Sequence, residues 1–318
     1  MFASAVFLLI SFTFAHNAVS SASLNESLPK LPGDTANKMC KTYAKYALDS
    51  SASSCAFEKE NLNSNGATDR LASRKEFPHM VQLGFHRQNT TLWGCGGILI
   101  SDRFVLTAAQ CAVTREYDAA KFVRAGITNV NDKNHLQIRY IEETIIHPDF
   151  NSDTFYHNIA LLKVNSSFDM NSYVRPACLH TIRNIPFRNG IATGWGNTNF
   201  TGELSEDLKK IKLEIFDSAK CNKTYRRAIV GPNARLPNGF VDDLLICAGS
   251  SEDKRSTCQG DSGGPFQIYR EDTEDIKCMY SIVGIISFGK ACGLVKDVPE
   301  GHTRVFPYIQ WIEDKVWS

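Results

Sequence analysis

Beyond residue 77 the chain is written in short apolar bursts. Met80 to Phe85, Gly97 to Leu106, Ile138 to Ile146, Ile159 to Val164 and Ser281 to Phe288 are runs of β-branched, aliphatic and aromatic residues, broken at short intervals by Gly, Asn, Asp and Pro. Runs of this kind predict strands joined by turns, and many of them in succession predict one all-β domain, built as a barrel or a sandwich. Helical spacing is found at the end of the chain. Val305, Ile309, Ile312 and Val316 fall at steps of four, three and four residues, which puts them on one helical face.

The texture before residue 66 differs. Residues 23–65 are rich in Ser, Asn, Lys and Ala and poor in large apolar side chains, so they cannot build a core and are expected to form a tether carrying Cys40 and Cys55. Residues 1–22 hold an uncharged apolar run from Ala5 to Phe14 followed by small residues near Ser20 and Ala22, the pattern expected of a secretory signal peptide. That run is too short to span a bilayer. The domain proper is expected over 66–318, with no internal repeat of fixed period.

Composition narrows the function classes. With 35 basic and 34 acidic residues the net charge is +1, which gives no field to recruit nucleic acid or a membrane surface. Arg226-Arg227 and the acidic stretch Glu271 to Asp275 read as solvated loops. Ten cysteines in an exported chain predict paired disulfides; a metal site is the competing reading of the thiols, but no C-x-x-C pair supports it, and no cofactor is expected. Asn25, Asn89, Asn165, Asn199 and Asn222 each open an Asn-x-Ser/Thr glycan acceptor.

A series of motifs then appears in order: Cys95-Gly96-Gly97, Leu106-Thr107-Ala108-Ala109-Gln110-Cys111, Asn158-Ile159-Ala160-Leu161-Leu162, Gly194-Trp195-Gly196, Cys258-Gln259-Gly260-Asp261-Ser262-Gly263-Gly264-Pro265 and Thr303-Arg304-Val305. Together they resemble the chymotrypsin/trypsin family of serine proteases, over about Gly66 to Ser318. The resemblance implies two antiparallel six-stranded β-barrels with the active site in the cleft between them, a C-terminal α-helix and a disulfide-tethered N-terminal segment. Cys40-Lys41-Thr42-Tyr43, Phe77-Pro78-His79-Met80 and the run Cys278 to Gly284 are similar to arthropod extracellular cascade proteases of the Snake type. The six-cysteine clip domain common at the N-terminus of that group is not expected here.

By this resemblance Ser262 is the nucleophile, and the backbone N–H groups of Gly260 and Ser262 form the oxyanion hole. The base position holds Gln110 and the orienting position Asn158, two uncharged amides. A carboxamide accepts no proton near neutral pH, so Gln110 can hydrogen-bond to Ser262 but cannot activate it. Loss of the base in such a site costs on the order of a million-fold in turnover. His157 adjoins Asn158, but neighbouring strand positions face opposite ways. His79, His86, His135, His147, His180 and His302 have no motif directing them to Ser262, and all seven are expected to be surface or packing residues.

The activation signal and primary pocket depart from the family as well. Counting back from Pro78 places the new N-terminus at Gly66 after Asn65, with no basic residue before it, unless Arg70-Leu71 is a displaced cleavage site. Asp261 then lacks its usual ammonium partner and must find hydrogen bonds elsewhere or shift its pKa upward. Ser256 stands at the pocket base where trypsin-like members carry Asp, and Glu300 on one wall faces Gly289 on the other, which predicts a filled slot rather than a new basic specificity. The pairings implied are Cys95–Cys111, Cys221–Cys247 and Cys258–Cys292, with Cys55–Cys178 and Cys40–Cys278 favoured for the rest, a connectivity that sequence leaves open.

These departures lead to a secreted, non-catalytic serine protease homologue acting as cofactor, decoy or regulator of an extracellular cascade, with active proteases or their substrates as partners. A weak endopeptidase helped by a substrate histidine is the alternative. A third reading is ligand recognition through the loops Asp118 to Asn134 or Asp272 to Lys277, which nothing in their composition favours.

Overall fold

The apolar bursts become strands because each can turn one side to an interior. The computed structural model describes residues 30–47, 55, 70–113, 119–197, 202–251, 256–270, 276–290 and 292–318. The expected signal segment, the counted start at Gly66, and Asn25 and Asn199 lie outside these residues, as do parts of both candidate recognition loops. Lys30 and Leu31 apart, the described residues other than these belong to one unit, Pro32–Ser318.

After a two-residue strand, Arg70–Leu71 (β1), a closed antiparallel barrel forms from Met80–Arg87 (β2), Thr90–Leu99 (β3), Phe104–Thr107 (β4), Phe122–Ala125 (β5), Gln137–Ile146 (β6) and Ala160–Val164 (β7). Following Cys178–Leu179 (β8), a second barrel closes from Asn189–Gly194 (β9), Lys209–Phe216 (β10), Leu245–Gly249 (β11), Pro265–Arg270 (β12), Met279–Phe288 (β13) and Glu300–Arg304 (β14). Its strands pair in the order β9-β10-β11-β14-β13-β12, with β12 returning to β9. Helices are few: Asp34–Ala44 (α1), Ala109–Ala112 (α2), Ser218–Thr224 (α3), Arg226–Val230 (α4) and Ile309–Val316 (α5).

Val81, Leu83, Ile98, Leu106, Val123 and Leu161 fill the first barrel, and Leu213, Ile246, Phe266, Val283 and Ile286 the second. The unbroken run in β13 has its own cause. Val283 and Ile286 face the second barrel, Ile282 and Ile285 join the first cluster, and Met279 and Tyr280 pack with Tyr43 of α1, so both faces of the strand are covered. The predicted terminal face is present, since Val305, Ile309 and Ile312 are buried and Val316 is partly so. Its first turn, Phe306–Tyr308, is 3₁₀, because Pro307 lacks an N–H and disfavours helical backbone at Phe306.

The tether contains more than its composition suggested. Ala36, Cys40, Tyr43 and Ala44 bury one face of α1 against the domain, where the helix meets β8 and α5, and Ala47 just beyond its end is buried too. This docking corrects two expected disulfides. Cys95–Cys111, Cys221–Cys247 and Cys258–Cys292 are formed, but Cys40 bonds Cys178 and Cys55 bonds Cys278, not Cys55–Cys178 and Cys40–Cys278. The helix seats Cys40 with its Cα 4.9 Å from that of Cys178, which leaves Cys278 to the cysteine further along the tether.

A side chain from the far end of the chain caps α1. Gly33 offers no cap, and the Glu313 carboxylate of α5 accepts from the N–H of Gly33 (3.1 Å) and of Ala36 (2.7 Å). Hydrogen bonds to a charged group contribute about 1.5–3 kcal/mol. Glu313→Ala is therefore expected to lower unfolding free energy in urea by about that amount, with Glu313→Gln intermediate; an unchanged midpoint for both would show that the cap is idle.

Candidate functional site

The turn that carries Ser262 is organised by its neighbour. Asp261 is buried, and its carboxylate accepts from the backbone N–H of Gly196 (2.7 Å) and of Cys258 (2.8 Å). The carboxylate that lacked an ammonium partner in the sequence reading thus has hydrogen bonds here. It also explains the glycines of Gly194-Trp195-Gly196. A β-carbon on Gly194 would lie 2.0 Å from Asp261 Oδ1, and one on Gly196 2.4 Å from its carboxyl carbon. The turn is further fixed by Asp261 N–H donating to Cys258 O and Gly264 N–H to Asp261 O.

The two barrels meet at this turn. Gly96 of β3 donates its N–H to Ser262 O (2.9 Å), and a β-carbon there would press on Gly264 at 3.1 Å. Gly260 and Ser262 line the cleft between the barrels, and among the described residues no protein acceptor takes the N–H of either.

Gln110, on α2, and Asn158, just before β7, form a neutral network with Ser287 of β13. Gln110 N–H donates to Asn158 Oδ1 (3.0 Å), Asn158 Nδ2 to Ser287 Oγ (2.7 Å), and Gln110 Nε2 to Ser287 O (2.8 Å). Thr303 Oγ1 holds the Asn158 carbonyl (3.1 Å). Asn158 is 1% exposed, so a carboxylate at that position would be a buried charge with no cation beside it. Gln110 and Ser262 share one cleft of about 1410 Å³, walled by Phe85, Leu92 and Trp93 on one side and by Phe150 and Ser152 to Thr154 on another. No histidine lines it.

Ser256, Gly289 and Glu300 are absent from that lining and form a separate cluster. Glu300 is 2% exposed; its Oε2 accepts from Thr257 N–H (2.9 Å) and Thr257 Oγ1 (2.7 Å). A β-carbon built on Gly289 would stand 3.5 Å from both Glu300 Cβ and Oε2, which measures how near the side chain comes to the opposite wall. Ser256 Oγ accepts from Gly293 N–H (3.3 Å). Burial pushes the Glu300 carboxyl up to about 7, and burial holds His302, 3.6 Å away, neutral with its pKa down to about 3.

Compared with models of known protein families, the chain matches Trypsin over residues 69–312. The chain belongs to the trypsin family. It is similar to Serine protease snk of Drosophila melanogaster, 37% identical over 243 residues that make up 74% of this chain and 53% of the relative. It is also similar to Serine protease Hayan of the same species, at 34% identity over 77% of this chain and 38% of that protein. A third relative is Phenoloxidase-activating factor 1 of Holotrichia diomphalia, at 32% identity over 76% and 67% respectively. The chain therefore spans about half or less of the length of the first two.

Ser262 stands on the turn held by Asp261, and Gln110 lines the same cleft. The site also relies on residues the sequence did not single out. Ser287 joins the two amides and Thr257 anchors Glu300; each lies one or two residues from a position that was named, but only the fold shows which way it points. Arg70-Leu71, the displaced cleavage alternative, is held as β1 in antiparallel pairing with Lys209 and Lys210.

A carboxyl whose folded pKa lies above its unfolded value binds its proton more tightly when folded, so its contribution falls as pH rises from the ordinary 4.5 through about 7. At 1.36 kcal/mol per pKa unit the effect is on the order of 3 kcal/mol at most. Glu300→Gln is accordingly expected to be more stable than the parent at pH 8, by about 1–3 kcal/mol, with the difference closing by pH 5. Thermal melts at the two pH values check this, and a pH-independent difference would contradict it.

Proposed function

We propose that this trypsin-family chain acts by binding rather than by hydrolysis, as a secreted cofactor, decoy or regulator in an extracellular proteolytic cascade of the immune or melanisation type. One observation carries the reading. The residue in the base position is Gln110, a carboxamide that takes no proton near neutral pH, and its Nε2 donates to the Ser287 carbonyl (2.8 Å). The neutral Asn158 and the Glu300 side chain reaching toward Gly289 support it, since each removes a separate requirement of cleavage after a basic residue.

The partner class is an active protease or its substrate, taken up by the cleft that remains open around Ser262. The name of one relative, Phenoloxidase-activating factor 1, is in keeping with a role in the activation of another protein. No helix among the described residues is long and apolar enough to cross a membrane, and Asn89 and Asn165 are exposed, as export and glycosylation require. Asn222 is less suited, because it is half-buried.

A second reading is favoured by the retained Ser262 and the uncommitted Gly260 and Ser262 N–H groups: slow cleavage in which a substrate histidine supplies the base. Peptides with and without a histidine beside the scissile bond test the second reading, which histidine-dependent turnover would support, and a fluorophosphonate probe, which needs an activated serine but no pocket, tests the first. Purified chain is expected to show no labelling above a Ser262→Ala control over hours, and stoichiometric labelling at Ser262 would contradict the binding role.

A further inference from the structure

We propose that His147, Asp149 and His157 form a binding site for a zinc-type divalent cation at the neck of the loop joining β6 to β7. His147 is the first residue after β6, and His157 precedes Asn158 and β7, so the two imidazoles close the ends of a loop whose middle, Phe150 and Ser152 to Thr154, walls the cleft. The backbone brings those ends together. His147 N–H donates to Ile159 O (3.2 Å), and the two rings stack with centroids 5.6 Å apart at 11°.

One ligand atom from each of the three residues lies within 4.8 Å of the other two. A tetrahedral zinc with bonds of about 2.0–2.1 Å needs ligand atoms about 3.3 Å apart, so closure takes side-chain rotations of the order of 1 Å. The side chain with freedom to make them is Asp149, 68% exposed against 12% for His147, with its Oδ2 now 4.0 Å from His147 Nδ1. The His147 Nδ1 lone pair accepts from the Asp149 N–H (3.3 Å), a bond that it exchanges for the metal, and His157 is held by Tyr308. Tyr308 OH lies 3.0 Å from His157 Nδ1, and when that nitrogen donates to the hydroxyl the tautomer is fixed with the Nε2 lone pair free. Tyr308 and Trp311 pack edge-on against His147 at 4.9 and 5.0 Å, which steadies the second ring.

Two imidazoles and one carboxylate, open to solvent on the Asp149 side, suit zinc with water as a further ligand, and are too nitrogen-rich for calcium or magnesium. His157 sits at φ +53°, a left-handed backbone uncommon for a residue with a β-carbon. Occupancy would tie the two ends of the cleft-wall loop together directly beside Asn158, so the site bears on the shape of the cleft rather than on chemistry at Ser262.

Cobalt titration of the chain, prepared without a histidine tag, tests this. One Co²⁺ per chain is expected, with the visible absorption of a four-coordinate site and displacement by Zn²⁺. Affinity should fall at least about ten-fold in His147→Gln and in His157→Asn, and stay unchanged in His86→Gln, whose ring is exposed elsewhere. Should a variant fold poorly, diethyl pyrocarbonate modification of the parent is mapped with and without Zn²⁺, and protection of His147 and His157 is expected. No saturable cobalt binding by the parent, equal affinity in folded variants, or equal modification of both histidines with zinc present overturns the site.

Discussion

The Asp261 carboxylate, gripped by the N–H groups of Gly196 and Cys258, is the constraint on which the rest of the site depends. It joins the Gly194-Trp195-Gly196 segment after β9 to the turn before β12, and so sets where Ser262 and Gly260 stand. The first barrel then meets that turn through Gly96, where a β-carbon would stand 3.1 Å from Gly264 and the turn would have to give by a few tenths of an ångström. Motifs that read as family marks in the sequence are thus the contact surfaces of one seam between two barrels. The acid that in the family usually takes an ammonium group accepts here from two backbone amides, which tie the turn to Gly196 and Cys258.

The neighbouring network follows a related logic of charge. A buried carboxylate at position 158 suits a site whose base becomes cationic, but Gln110 never does. With both residues amides, Gln110 N–H, Asn158 and Ser287 satisfy one another and no unpaired charge is buried. With amides at both positions no buried carboxylate stands at 158 without a cationic partner, and Asn158 makes the hydrogen bonds that join Gln110 to Ser287.

Much of this was legible in the chain. The strands and the buried face of the terminal helix follow from patterns of residues close in sequence, whereas Gln110, Asn158 and Ser262 were singled out by resemblance; Gln110 bonds Asn158 and Ser287 and shares a cleft with Ser262. What escaped depended on contacts between distant segments. Helix α1 hides its apolar face, Ala36, Cys40, Tyr43 and Ala44, among Asp, Asn, Thr and Lys, and its N-terminus is completed by Glu313. Because the docking of that helix was not foreseen, Cys40 and Cys55 were assigned to each other's partners. His147 and His157 read singly as packing residues; their approach arises from the loop closing on itself, which spacing along the chain does not reveal.

The central claim is that the frame for acyl transfer is intact and that two amides in place of base and orienting acid silence it. The most direct measurement is the rate of fluorophosphonate labelling at Ser262 in the double variant Gln110→His/Asn158→Asp, without any engineered cleavage of the chain. The account predicts a gain of at least about 10³-fold over the parent, since the oxyanion turn already stands in place. A folded double variant that labels no faster than the parent would contradict it.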